Sequence, residues 1–218
     1  SPQLLASFST TGRAREVEVV SELAYVAEGA AGLEIVDVSS PTAPCLAGQY
    51  DLLSAYAVDV VSGIAYIAAD DEGLGLIDVS APDAPQLLST IEVMGIVHDV
   101  EVVSGIAYVA VSGTGFRIVD VSEPTSPELA GYHWLEASWQ YTYGLDNIAV
   151  DSDLVFMATG LCSGEPLHVV DAADPWSPEI VAAYDSGCVG FDVLVASGLA
   201  YMGRGQSGLD ILDVSGCW

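Results

Sequence analysis

A repeated pattern organises this chain, and its clearest copy reads FRIVDVSEPTSP at residues 116–127. Related copies occupy residues 33–44, 74–85 and 167–178, and a shortened copy occupies residues 209–215. The first half of each copy is apolar and rich in β-branched residues, which favours a buried β-strand over a helix. In the full copies the second half carries prolines, which deny a hydrogen-bond donor to a continuing sheet. Each copy is therefore predicted to be a strand that ends in a turn.

An aspartate follows the strand in all five copies: Asp37, Asp78, Asp120, Asp171 and Asp213. At such a junction a carboxylate accepts hydrogen bonds from backbone N–H groups two residues further on. We therefore interpret these aspartates as turn caps. The alternative is that regularly spaced aspartates are ligands for a bound group.

The copies belong to longer units, which align on one aromatic position: Tyr25, Tyr66, Tyr108, Phe156 and Tyr201. An alternating strand precedes the aromatic strand in each unit, and in the full units a further strand follows the proline turn. Four short antiparallel strands in about 42 residues are the unit of a β-propeller blade. The sequence predicts an all-β, five-bladed β-propeller with four antiparallel strands per blade, built as a single domain over residues 1–218.

The predicted blades cover residues 16–50, 57–92, 99–133, 147–184 and 192–215. Residues 1–8 match the fourth strand of a blade, as residues 84–91 do, whereas the last unit reaches only its third strand. We therefore expect the N-terminal strand to complete the last blade. This arrangement closes the ring and removes an exposed sheet edge.

Composition restricts the kind of partner. The net charge is −27, with 31 acidic residues against four arginines and no lysine. Such a charge repels phosphate, so nucleic-acid binding is not expected. No run of about 18 apolar residues offers a membrane span. Four cysteines suit an oxidising compartment.

The pattern Leu-x-Ile-Val-Asp-Val-Ser-x-Pro-x-x-Pro, with Ser-Gly-x-Ala-Tyr-Val-Ala upstream, resembles the LVIVD repeat family. That family occurs in secreted and cell-surface proteins of bacteria and archaea. The resemblance implies a β-propeller and an extracellular or cell-surface location. It implies no catalytic residues, because the family has no established common reaction. The fourth unit departs from the pattern at Phe156 and at residues 171–175.

Two insertions flank the fourth unit, at residues 133–144 and 159–166, and they are expected to emerge on the same face. The first insertion holds the predicted ligand-binding residues His133, Trp134, Trp139, Tyr141 and Tyr143. Aromatic faces of this kind suit sugar rings or protein side chains. The alternative is that these rings pack down and plug the central channel.

The four cysteines allow three pairings. Cys162 lies in the second insertion and Cys188 lies in the link that follows it. We favour a disulfide between these two, which leaves Cys45 to pair with Cys217.

The innermost strands begin with polar side chains at Glu16, Asp99, Asn147 and Asp192. Oxygen atoms that converge on a channel suit Ca²⁺, which takes six to eight oxygen ligands. Glu16, Asp99 and Asp192 are the predicted calcium ligands, and no other cofactor is expected. A solvated acidic rim is the alternative.

These observations favour an extracellular binding or assembly module, without catalytic chemistry, that recognises a protein or a carbohydrate on the cell surface. One alternative is a homo-oligomer or structural unit of a surface layer or fibre. The other is a hydrolase or lyase that acts on glycans through the channel carboxylates. The chain contains no G-x-S-x-G, HExxH or nucleotide-binding motif.

Overall fold

The computed structural model of the chain describes residues 1–52, 54–112, 115–133, 145–159, 166–185, 187 and 190–217. Its strands form five antiparallel sheets, which we call blades 1 to 5 in chain order. Within each blade the strands pair in sequence order, so that each blade is an up-and-down meander. The all-β prediction is confirmed. In the part of the chain that is described, no helix has the length and apolar character needed to cross a bilayer.

The strand bounds follow the repeats. Blade 1 contains β1 (Glu16–Val20), β2 (Leu23–Ala27), β3 (Leu33–Asp37) and β4 (Cys45–Tyr50). Blade 2 contains β5 (Ala57–Val61), β6 (Ile64–Ala68), β7 (Leu74–Asp78) and β8 (Gln86–Ile91). Blade 3 contains β9 (Ile96–Val103), β10 (Ile106–Ser112), β11 (Gly115–Asp120) and β12 (Glu128–His133). Blade 4 contains β13 (Leu145–Asp151), β14 (Leu154–Thr159), β15 (Leu167–Asp171) and β16 (Glu179–Tyr184). Blade 5 contains β17 (Asp192–Ala196), β18 (Leu199–Gly203) and β19 (Leu209–Asp213), with a 3₁₀ helix (Gly205–Ser207) before β19.

The repeated aspartates cap the turns that follow the third strands. Asp37, Asp78 and Asp120 accept the N–H two residues further on, at 2.8, 2.9 and 2.9 Å. The aspartates of blades 4 and 5 make the same bond. The Ser122 hydroxyl, and after it the Ser122 N–H, lowers the pKa of Asp120 below its usual value. The interpretation as turn caps is confirmed.

The core lies between consecutive blades. Leu33 and Ile35 of blade 1 are fully buried in one cluster with Val58 and Val60 of blade 2. Equivalent clusters join blades 2 and 3, blades 3 and 4, and blades 4 and 5. Each blade therefore has a forward face, directed toward the next blade along the chain, and a backward face, directed toward the previous one, and the facing surfaces of neighbouring blades pack together.

Blade 5 has three strands, because residues 1–8 form no strand. The prediction that the N-terminal strand completes the last blade is therefore wrong. Phe8 packs instead against Ala24, Val26 and Val36 on the backward face of blade 1. Tyr50 of β4, which has the same position in its repeat, packs against the cluster between blades 1 and 2. The N-terminal segment thus keeps the place of a fourth strand beside blade 1, without pairing to β19.

The thiols of Cys45 and Cys217 are free in this structure, so the predicted disulfide between them is not shown and stays a prediction. Cys217 packs against the cluster between blades 4 and 5. Cys45 begins the outer strand of blade 1, where it is exposed. The two residues therefore belong to blades at opposite ends of the chain. Cys162 and Cys188 lie outside the described residues, and their pairing stays a prediction.

Candidate interaction site

Polar side chains on the innermost strands form hydrogen bonds with backbone N–H groups of the next blade. An innermost strand is a sheet edge, so its alternate N–H groups point away from the sheet. Glu16 of blade 1 accepts the N–H of Val58 in blade 2 at 2.9 Å. The same bond joins Asp99 to the Ile148 N–H at 2.8 Å and Asn147 to the Val193 N–H at 2.9 Å.

A second set of such side chains lies two residues after the aligned start of the innermost strands. Asp59 accepts the N–H of Val102 at 2.5 Å, and Glu101 accepts the N–H of Val150 at 2.7 Å. These carboxylates satisfy backbone donors that would otherwise be left at a buried edge, which is a costly state. The repeated acids are therefore part of the contact between blades.

Burial changes the protonation of these groups. It raises the pKa of Asp99 to about 8 and the pKa values of Glu101 and Glu18 to about 7. Neighbouring carboxylates raise these values further, whereas the backbone hydrogen bonds oppose the shift. The innermost strands therefore carry desolvated carboxyl groups that retain protons near neutral pH.

The predicted calcium ligands lie on the innermost strands of blades 1, 3 and 5. Burial, and after it the charges of Asp59 and Asp192, raises the pKa of Glu16; burial, and after it the charge of Glu16, raises the pKa of Asp99. Glu16 and Asp99 already accept backbone N–H groups, whereas Asp192 is exposed. Across the described ranges, no three His, Cys, Asp or Glu side chains are grouped so that they could hold a metal ion. Calcium binding at these residues stays a prediction.

A stack of side chains crosses the first three blades beside these acids. The Arg15 guanidinium lies 4.1 Å from the centre of the Tyr56 ring, and the Tyr56 and His98 rings stack with their centres 5.2 Å apart. Sequence reasoning missed Arg15 and Tyr56. The available signal was position, because each member of the stack comes one residue before the aligned start of a first strand.

His133 is the one predicted ligand-binding residue that the structure describes. It ends β12 and lies near Phe116, with the ring centres 6.2 Å apart. Burial, followed by the charge of His168, lowers the pKa of His133. The other predicted ligand-binding residues, Trp134, Trp139, Tyr141 and Tyr143, lie outside the described residues. Ligand binding by this insertion stays a prediction.

On the backward face of blade 1, the innermost strand β1 is open to solvent, whereas Phe8 packs on the strands beside it. Val17 and Val19 are 58% and 59% exposed. Their counterparts in blade 2, Val58 and Val60, are 4% and 8% exposed, because blade 1 covers them. The residue types are the same, so the difference comes from the neighbouring blade alone.

The forward face of blade 5 is open in the same way. Leu209 and Ile211 are 59% and 58% exposed, whereas their counterparts Leu33 and Ile35 in blade 1 are fully buried. Leu194 on the innermost strand of blade 5 is also exposed. We call the exposed part of the backward face of blade 1, at Val17 and Val19, and the forward face of blade 5 the end faces. They are the candidate interaction site.

Meander sheets that pack face to face around a common axis define a repeat protein of the β-propeller type. The chain belongs to the LVIVD repeat family, whose repeat matches residues 11–52, 54–93, 94–133 and 191–216. The matched regions leave out blade 4, which is the unit whose turn and aromatic position depart from the pattern.

Solved structures support the same fold. The chain is similar to the computationally designed Ika8 protein, at 10% identity and a TM-score of 0.72, over 94% of this chain and 59% of that one. It is similar to the Myceliophteria thermophila Cps50 (Swd1) β-propeller domain, at 10% identity and a TM-score of 0.69, over 88% of this chain and 67% of that one. A functionally unknown protein from Desulfotomaculum acetoxidans gives 13% identity and a TM-score of 0.77, over 94% of this chain and 67% of that one. Comparison with curated proteins gave no match.

Proposed function

We propose that this protein is a non-catalytic binding or assembly module that works outside the cell or on the cell surface. The observation that carries the proposal is the exposure of the end faces. Exposed apolar side chains grouped on a sheet face are typical of interaction sites in soluble proteins. Covering it stabilises a complex by roughly 25 cal/mol for each Å² of apolar area removed from water.

The chemistry of the end faces favours a protein partner over a sugar. Val17, Val19, Leu209 and Ile211 are aliphatic, and inside the chain such faces bury other β-sheet faces. The proposed partner is therefore an apolar sheet surface of another protein or of a second copy. Carbohydrate recognition is proposed for the aromatic insertion at residues 133–144. Closure of the five blades into a ring would cover both end faces within one chain, and it stays a prediction.

A neutral solvatochromic dye such as Nile red, combined with sedimentation velocity, tests whether the end faces are available. We expect wild-type protein to bind the dye, and Val19→Asp and Ile211→Asp each to weaken binding. Leu87→Asp is the matched control, because Leu87 is 43% exposed on the outer strand of blade 2, which carries no end face. The control is expected to bind dye as the wild type does.

The mass measured by sedimentation velocity, together with dye binding, distinguishes a closed ring, an assembly of copies and an open monomer. A dye-free monomer means that the ring is closed and that the end faces are not a binding site. A dye-free larger species that dissociates in both face variants means that copies assemble through the end faces. A dye-binding monomer leaves the faces free for another protein.

A glycan hydrolase or lyase is the second candidate. The raised pKa of Asp99 favours it, because a general acid must hold its proton near neutral pH. Against it, Asp99 is buried and its two oxygens accept the N–H groups of Val100 and Ile148. Release of reducing ends from a polysaccharide panel, abolished in Asp99→Asn, would establish the enzyme and overturn the proposal.

A further inference from the structure

Two carboxyl groups lie together beneath the N-terminal segment, on the backward face of blade 1. Glu28 follows β2 and Glu34 lies in β3, and their residues are 1% and 3% exposed. The N–H of Gly12 donates to Oε2 of Glu28 at 2.9 Å, and the Thr11 hydroxyl donates to the same atom at 3.2 Å. The N–H of Thr11 donates to Glu34. The N-terminal segment at Thr11 and Gly12 thus covers the two carboxyl groups.

Among the residues that the structure describes, the pair has no positive partner. Oε1 of Glu28 and Oε2 of Glu34 are buried and accept no hydrogen bond. Within the described ranges, no basic side chain forms an ion pair with either carboxylate. Burial, and after it the hydrogen bond and charge of Glu28, raises the pKa of Glu34 to about 7. Two neighbouring buried carboxylates without a counter-charge are costly, so the pair requires a proton or a cation.

The repeat itself contains the matching charged pair. Counted from the aromatic positions Tyr25 and Tyr201, Glu28 corresponds to Arg204 and Glu34 corresponds to Asp210. In blade 5, Nη1 of Arg204 donates to Oδ1 of Asp210 at 3.0 Å. Blade 5 therefore supplies the cation as a side chain. Blade 1 has a second carboxylate at the position of that arginine.

We propose that Glu28 and Glu34 bind a hard divalent cation, Ca²⁺ or Mg²⁺, that replaces the guanidinium of the equivalent pair. Oε1 of Glu28 and Oε2 of Glu34 are the ligand atoms. Such ions take oxygen ligands, and Mg²⁺ is commonly held by one or two carboxylates while it keeps several waters. Because Gly12 and Thr11 bond to the same carboxylates, the ion also fixes the N-terminal segment on blade 1. The proposal does not depend on the end faces.

The test is equilibrium dialysis with CaCl₂ or MgCl₂, with thermal melts of the same samples, in concentrated sodium chloride at constant ionic strength. Glu28→Arg copies the pair of blade 5, and Glu34→Gln keeps the side-chain shape without the charge. Glu123→Gln is the control, because Glu123 is an exposed acid in a turn of blade 3. These variants separate a specific ion from the general attraction of cations to an acidic chain.

Wild type and Glu123→Gln are expected to hold one more cation per chain than Glu28→Arg and to melt higher when it is present. Glu28→Arg is expected to melt several degrees above wild type in EDTA and to gain nothing from the ion. Equal cation uptake by wild type and Glu28→Arg overturns the proposal. So does a wild type that responds to pH through Glu34 and not to either ion, which means a shared proton only. If Glu28→Arg does not fold, loss of uptake in Glu34→Gln supports the site, and unchanged uptake overturns it.

Discussion

Asp99 shows how one position in the repeat keeps its contact while its chemistry changes. Asn147 takes the same position in blade 4, where its side-chain oxygen accepts the Val193 N–H at 2.9 Å. Asp99 makes the equivalent bond to Ile148 at 2.8 Å. The amide makes the bond between blades without burying a charge, whereas the carboxylate must be desolvated.

We therefore expect Asp99→Asn to stabilise the protein at alkaline pH. Burial raises the folded-state pKa of Asp99 to about 8 from 3.8, so its stabilisation of the fold is fully present below pH 3.8. That stabilisation is lost as the pH rises through about 8, at roughly 1.4 kcal/mol for each pKa unit between the two states. The free energy of unfolding, measured in urea, should fall between acid and alkaline pH less steeply in Asp99→Asn than in wild type.

Asp83→Asn provides the control for that pH series, because Asp83 is exposed in the turn of blade 2. Its pH profile should run parallel to that of the wild type. Parallel profiles for Asp99→Asn as well would show that Asp99 is not the desolvated acid described here.

At the scale of elements, the turn of one blade docks on the outer strand of the blade before it. A Cβ atom at Gly48 of β4 would overlap the carbonyl oxygen of Pro82 in the turn of blade 2. Gly131 of β12 meets Pro175 in the same way. In blade 2 the position holds Ser89, whose hydroxyl donates to the Pro124 carbonyl at 2.6 Å. The outer strands therefore join blades as closely as the inner ones do.

Gly48→Ala is expected to destabilise the protein by about 1–3 kcal/mol, which is the usual cost of overpacking. The steric partner is backbone, so relief requires movement of the whole turn. The measurement is urea unfolding. Gly216→Ala is the control, because a Cβ there meets no atom within 4 Å. Equal stability of the two variants would contradict the tight docking.

The aromatic insertion is an element whose role rests on sequence. We expect it to bind glycans through stacked rings, so that a Trp134→Ala, Trp139→Ala double variant loses array binding that the wild type shows. Trp176→Ala is a suitable control, because Trp176 is 61% exposed in the turn of blade 4. If the double variant folds and binds as the wild type does, the rings have another role.

For the whole molecule, the net charge of −27 opposes the folded state through self-repulsion. The melting temperature should therefore rise with sodium chloride and level off once the charges are screened. A divalent-specific increment should vanish in Glu28→Arg. An increment that survives there and disappears in Asp192→Asn would instead favour calcium at Glu16, Asp99 and Asp192.

The parts of this fold that were predicted correctly are local. Alternating apolar residues predict each strand. The turn that follows is specified within a few residues, because a capping bond such as that from the Ser122 N–H to Asp120 spans only two residues. The five repeats predicted the number of sheets correctly, because each sheet is formed by residues of one repeat that are close in sequence.

Contacts between blades depend on distance in space, which the repeat pattern does not contain. Tertiary structure placed Glu16 against the Val58 N–H, set Glu34 beside Glu28, and left Phe8 on blade 1 instead of bringing its strand to β19. The sequence of residues 1–8 matches a fourth strand and is therefore compatible with pairing to β19. Such pairing also requires β19 of blade 5 to lie beside these residues. Val17 and Ile211 have the residue types of core positions, and they are exposed because burial requires a neighbouring face as well as an apolar side chain.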